Sequence, residues 1–134
     1  MINTFSKERE AIETHFGKKW GNTTKVLLDN SRVKPPADEP FVRLSIIQGT
    51  GSQISMGATQ LHRTESQVQV QIFVKKGSGR KRLMMLADAA EELFTNLQLD
   101  SIQFRSAYIV NVGEINEWYQ INVVAPFYRN RVVT

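Results

Sequence analysis

Gln67-Val68-Gln69-Val70-Gln71-Ile72-Phe73-Val74 is the stretch that decides the fold. Glutamine alternates with Val and Ile, so one face is wet and the other is buried, as in a half-buried β-strand. Lys75-Lys76-Gly77-Ser78-Gly79 ends it, and Ser78 is placed to cap a following helix. Leu83, Leu86, Ala90, Leu93 and Leu97 then recur at helical spacing, with Met84, Met85 and Phe94 widening the stripe.

Working outward, Phe41-Val42-Arg43-Leu44-Ser45-Ile46-Ile47-Gln48 reads as a strand with Val42, Leu44 and Ile46 on one face. The polar segment 49–66 between these strands is a long loop or an extended hairpin arm. Residues 31–40 form a loop, since Pro35, Pro36 and Pro40 forbid regular pairing. Lys25 to Asp29 is a short apolar run with strand character.

Near the start, Ile2, Phe5, Ile12 and Phe16 give a helical stripe interrupted by Arg9, with Arg9 and Glu13 one turn apart. Gly17 offers a stop, and Trp20 is expected to pack back on this helix. Downstream, 102–112 and 118–127 return to strand periodicity, joined by a turn at 113–116. Tyr119, Ile121, Val123, Ala125 and Phe127 share a face. The segment from Tyr128, with Arg129 and Arg131, shows no core role. The expected fold is α+β: a mainly antiparallel sheet of four to five strands, with two helices packed on one face.

Composition fits this picture. The 134 residues suit one domain spanning 1–134, and 41% hydrophobic content supports a core without staples. With no cysteine there is neither a disulfide framework nor a thiolate metal site. No apolar run reaches membrane-spanning length and the first residues lack a signal core, so no membrane partner is expected.

Catalytic chemistry finds little support. The two histidines, His15 and His62, have no triad around them, and no Ser lies in a G-x-S-x-G elbow. No zinc or calcium ligand pattern occurs. Gly77 and Gly79 precede a helix but match neither phosphate-binding signature. No catalytic, cofactor or metal residues are therefore assigned.

The formal charge of +4 is mild, but part of it is concentrated. Lys75, Lys76, Arg80, Lys81 and Arg82 fall within eight positions. Three of them occupy the first turn of a helix, where the macrodipole disfavours cations. An acidic neighbouring subunit or a DNA backbone would explain them; so would a solvated turn. Gln53, His62 and Arg63 in the polar segment, and Trp118 on the face opposite Tyr119, complete the interface candidates together with Arg129 and Arg131.

The order of these features is similar to one known family. Ser31-Arg32-Val33-Lys34-Pro35-Pro36, then Pro40-Phe41-Val42-Arg43-Leu44-Ser45-Ile46, then His62-Arg63-Thr64, the glutamine strand and a Leu/Ala helix resemble the phage tail terminators. The pattern departs at Ser66, near which a Gly is expected, and at Lys75, where a Pro is. The resemblance implies a structural virion protein at the head–tail junction of a long-tailed phage, assembled in the host cytoplasm. It implies a homo-hexameric ring that ends tube growth, with the tail-tube protein and a head–tail connector or head-completion protein as partners and DNA in the lumen. A nucleic-acid-binding module using 75–82 is the alternative.

Overall fold

The computed structural model describes residues 2–28, 34–77 and 79–133. Asp29 to Val33, part of the proline loop, and the proposed cap Ser78 lie outside these. Nine elements follow in chain order: α1 (Phe5–Trp20), β1 (Lys25–Leu28), β2 (Phe41–Gln53), β3 (Gln60–Lys75), α2 (Arg80–Phe94), β4 (Gln98–Leu99), β5 (Ile102–Phe104), β6 (Tyr108–Ile115) and β7 (Trp118–Val133).

The strands form one curled, mixed sheet in the order β1-β2-β3-β7-β5-β4, with β6 also on β7. That is seven strands among the described residues, not four to five. The β1–β2 pair is parallel and every other pair is antiparallel. The extra strands are short or atypical, which hid them. β4 and β5 have two and three residues. The expected single strand over 102–112 is broken between Phe104 and Tyr108, and β6 carries on to Ile115. The turn is Asn116-Glu117, with Asn116 at φ 55°. Gly113 lies inside β6 beside a bulge rather than in the turn.

The alternation in β3 sets the core. Register stacks Val42 on Ile72 and Ile121, Leu44 on Val70 and Val123, and Ile46 on Val68 and Ala125. Onto this face pack Ile12, Phe16 and Trp20 of α1 and Leu83, Leu86, Ala87, Ala90 and Phe94 of α2, all in one cluster. Both helices thus lie on one face. Phe16 stacks on Trp20 at 5.2 Å and on Phe94 at 6.0 Å between ring centres.

Helix α1 corrects its expected boundaries. Thr4 caps it, its hydroxyl accepting from Lys7 N–H at 3.2 Å. It runs past Gly17 to Trp20, and Gly21 at φ 57° ends it. The buried stripe is Glu8, Ile12, Phe16 and Trp20, while Phe5 is 49% exposed. The Arg9–Glu13 pair forms at 3.6 Å. In α2, Met84 and Met85 do not widen the core stripe; both face solvent.

The segment beyond Tyr128 is no tail. It continues β7 to Val133, paired with β3 down to Gln60. Arg129 falls on the same parity as Phe127 and points inward. Its side chain is 1% exposed and its Nε donates to Glu8 Oε1 at 2.9 Å. A residue read as an interface candidate is a buried tie between the first helix and β7.

Candidate functional site

The interface candidates fall into two groups at opposite ends of β3. Fifteen steps of extended chain separate Lys75 from Gln60, a contour of roughly 50 Å. They do not converge on one pocket.

The first group surrounds the β3–α2 turn. Gly77 at φ 93° and Gly79 at φ 84° turn the chain, and Gly79 starts α2 with no side-chain cap. Lys76 N–H donates to the Glu117 carbonyl at 2.8 Å, pinning the turn to the β6–β7 hairpin. Lys75 Nζ lies 2.8 Å from Glu117 Oε2 and 3.7 Å from Asp38 Oδ1, and donates to the Ala37 carbonyl at 3.2 Å. Lys76 Nζ lies 3.1 Å from Glu114 Oε2, and the Arg80 guanidinium sits over the Tyr119 ring at 5.4 Å.

These contacts shift the charged groups they join. The hydrogen bond to Glu117, then the charges of Glu117 and Asp38, raise the Lys75 ammonium above its ordinary range. Lys75 in turn lowers Glu117. Glu114 is lowered by its hydrogen bond to Lys76, by the Lys76 charge and by a hydrogen bond from Tyr119. The basic cluster is therefore partly compensated, by Glu114 and Glu117 some 40 residues downstream and by Asp38 upstream. Lys81 and Arg82 remain exposed, with no ion-pair partner among the described residues.

Trp118 belongs to this group. It meets Phe41 edge-on at 5.2 Å, and Phe41 stacks on Phe73 at 4.6 Å. This small cluster covers the sheet face away from the helices, with Lys75 Nζ 5.2 Å from the indole. Of the aromatics expected in the core, Phe104 and Phe127 are buried there, Tyr119 packs at its edge, Phe73 lies in this outer cluster, and Tyr108 is 51% exposed.

The second group lies on the β2–β3 arm. The segment 49–66 is a hairpin, not a loop: β2 runs to Gln53, β3 starts at Gln60, and six residues form the tip. Ile54 N–H donates to Leu61 O at 2.8 Å and Leu61 N–H to Ser55 Oγ at 2.7 Å, which fixes the tip. Met56 at its end is 90% exposed. Register places Gln53, His62 and Arg131 side by side across β2, β3 and β7. His62 Nε2 contacts Gln60 Oε1 at 3.1 Å. Arg63 Nε donates to Asn130 Oδ1 at 2.8 Å, and its guanidinium lies over the Tyr128 ring at 4.3 Å. Arg105 approaches the same ring at 5.0 Å and pairs with Glu65 at 2.8 Å. Sequence reading missed Arg105, Glu65 and Tyr128; the odd–even parity of β7 put Tyr128 on the outer face.

It also missed β6. This strand exposes Tyr108, Ile109, Val110, Val112 and Ile115, each 37–51% accessible. Among the described residues only β7 pairs with it, so its other edge is unpaired there. Beyond Leu44, β2 likewise has β3 as its one partner among the described residues.

Among the described residues no carboxylate aligns His15, which packs 6.4 Å from the Phe94 ring and whose pKa burial lowers. No group of three or more His, Asp or Glu residues is gathered for a metal among the described residues. No helix among them is long and apolar enough to cross a membrane.

A family model described as phage tail terminator protein matches residues 9–127, from α1 through most of β7. The chain belongs to the phage tail terminator family. That family is structural rather than catalytic, and it makes this chain a component of a virion tail. One solved structure resembles this terminator with a TM-score of 0.63 at 18% identity, over 94% of this chain and 97% of that chain. At that identity the likeness shows the fold alone. No curated protein sequence matches this terminator.

Proposed function

We propose that this chain caps the tail tube of a long-tailed phage as a six-membered ring at the head–tail junction. The ring ends polymerisation of the tube protein and presents a surface to the head connector or a head-completion protein, with DNA in its lumen. Membership of the terminator family across residues 9–127 is the observation that carries the reading.

The geometry supplies materials for it. A closing ring needs a head-to-tail contact between two different surfaces of one subunit. Among the described residues, the apolar edge of β6 and the edge of β2 from Ser45 to Gln53 are two such unpaired surfaces on opposite sides of the sheet. Unprotected edges of this kind favour pairing with another chain. The arm and the basic turn lie far apart along β3, as suits a subunit with neighbours on more than one side.

Tail-tube length in lysates made with and without the chain tests the reading. Electron microscopy should show overlong or headless tails in its absence. Normal tails and full infectivity would reject it. Arg80→Glu with Lys81→Glu should leave the fold intact, since both side chains are exposed, yet abolish assembly. Normal virion yield from that double variant would remove the basic turn from the interface.

A further inference from the structure

Helix α2 carries its charges the wrong way round. Lys81 and Arg82 stand in the first turn, with no acidic residue there. Asp88, Glu91 and Glu92 stand in the second half, and the last turn has no basic residue. Each end therefore opposes the helix dipole. Asp88 lies three and four residues before Glu91 and Glu92, so like charges also meet along the helix. No ion pair relieves Lys81, Arg82, Asp88 or Glu92 among the described residues. Just before the helix, by contrast, Lys75 and Lys76 are compensated.

The exposed positions are also symmetric. Lys81 and Glu92 are centred on the same point as Met85 and Asp88, half a residue from the helix midpoint at Ala87. All four are solvent-facing and fall on one helical stripe. Between the charged ends lie the exposed methionines, Met84 at 43% and Met85 at 62%. Such side chains adapt readily to an apolar partner.

We propose that α2 docks against α2 of a second copy of this chain, antiparallel, about a two-fold axis. Lys81 then faces Glu92 of the second copy and reaches its Asp88; by symmetry the reverse contacts form. Met85 of each copy lies beside the axis. The antiparallel arrangement also opposes the two helix dipoles favourably. Charge complementarity selects a second copy as the occupant, because one helix presents both halves of the match. A single helix face is smaller than a standard interface. The contact is therefore weak and salt-sensitive. It is separate from the head-to-tail contact of a ring, and it does not rest on the tail-capping reading.

Sedimentation velocity on the full chain, at several protein concentrations in low and high salt, tests this. The expected result is a monomer–dimer equilibrium whose dissociation constant rises on the order of tenfold in high salt. Lys81→Glu with Arg82→Glu should be monomeric, and so should Asp88→Lys with Glu92→Lys. An equal mixture of the two variants should dimerise again. Because the chain has no cysteine, a second test reads the geometry directly. Met85→Cys should form a disulfide-linked dimer under mild oxidation. Lys81→Cys should not, since the two-fold sets those positions about 16 Å apart along the axis. Circular dichroism checks that each variant folds. A wild-type monomer at all concentrations, half-variants that associate like wild type, a mixture that stays monomeric, or equal cross-linking at both positions would overturn the proposal. A monomer that instead retains DNA through Lys81 and Arg82 would also overturn it.

Discussion

Removing the Glu8 carboxylate should cost this fold more than any other single change on its polar residues. The pair with Arg129 is sealed: the two side chains are 0% and 1% exposed. One hydrogen bond joins them, at 2.9 Å, while Glu8 Oε2 and Arg129 Nη1 find no partner within the described protein. The guanidinium also lies over the Phe5 ring at 5.1 Å. In Glu8→Ala the arginine stays buried without its counter-charge. Breaking a buried pair in this way costs roughly 3–5 kcal/mol. Total stabilities run to about 5–15 kcal/mol, so the variant is marginal. For a chain of this size that corresponds to a fall in Tm of about 10–20 °C. Replacing both partners, Glu8→Leu with Arg129→Met, removes the desolvation cost and the orphaned atoms together. The double variant should return to within about 2 kcal/mol of the parent, or exceed it. Urea unfolding followed by circular dichroism, run as a double-mutant cycle, measures this. A loss under about 1 kcal/mol for Glu8→Ala, the value of a surface pair, would refute the reasoning. So would a double variant no better than the single one.

Two further outcomes follow from the arm and the turn. A Cβ on Gly49 would meet the Glu65 carbonyl oxygen at 2.1 Å, beside the β2 bulge. Gly49→Ala should therefore loosen the base of the arm at a cost of about 1–3 kcal/mol, read as lost hydrogen-exchange protection over Gln48 to Ser66 with the core unchanged. Glu114 and Glu117 are held below the ordinary carboxylate value of 4.5, so their contribution is complete above that value and fades as pH falls through their lowered ones. Carbon-detected NMR titration should show both lowered, and Lys75→Met should return Glu117 toward 4.5; an unmoved Glu117 would remove Lys75 as the cause.

The inward face of the sheet was legible because Gln67 to Val74 alternates without interruption, and a two-residue period admits one reading. The helices were legible as stripes, but their membership was not. Glu8 sits one turn before Ile12 on the buried stripe, and its charge argues against burial until Arg129 is known to face it. Arg129 itself continues the parity of Ile121, Val123, Ala125 and Phe127, and following that count would have placed it inside. The exposure of strand β6 escaped for the opposite reason. Tyr-Ile-Val-Asn-Val looks like core in composition, yet on this edge strand each of its apolar side chains stays 37–51% exposed. Compensation at Lys75 and Lys76 was invisible because Glu114 and Glu117 come close through the β6–β7 hairpin, some 40 positions away. The two-group arrangement of the interface candidates required the register of β3 against β2 and β7.

The position of β7 bears on how the protein is made. It pairs with β3 along sixteen residues and with β5 and β6 on its other side, so it is the spine of the sheet. It is also translated after every strand it joins. Until it leaves the ribosome, β3 has one bare flank, β6 has nothing to pair with, and Glu8 has no counter-ion. Closing such distant contacts late makes for slow folding and a nascent chain with sticky flanks. A premature stop before Trp118 should thus yield insoluble fragments rather than a smaller domain. Synthesis of this subunit is all-or-nothing, and a chaperone's attention falls on the interval before β7 arrives.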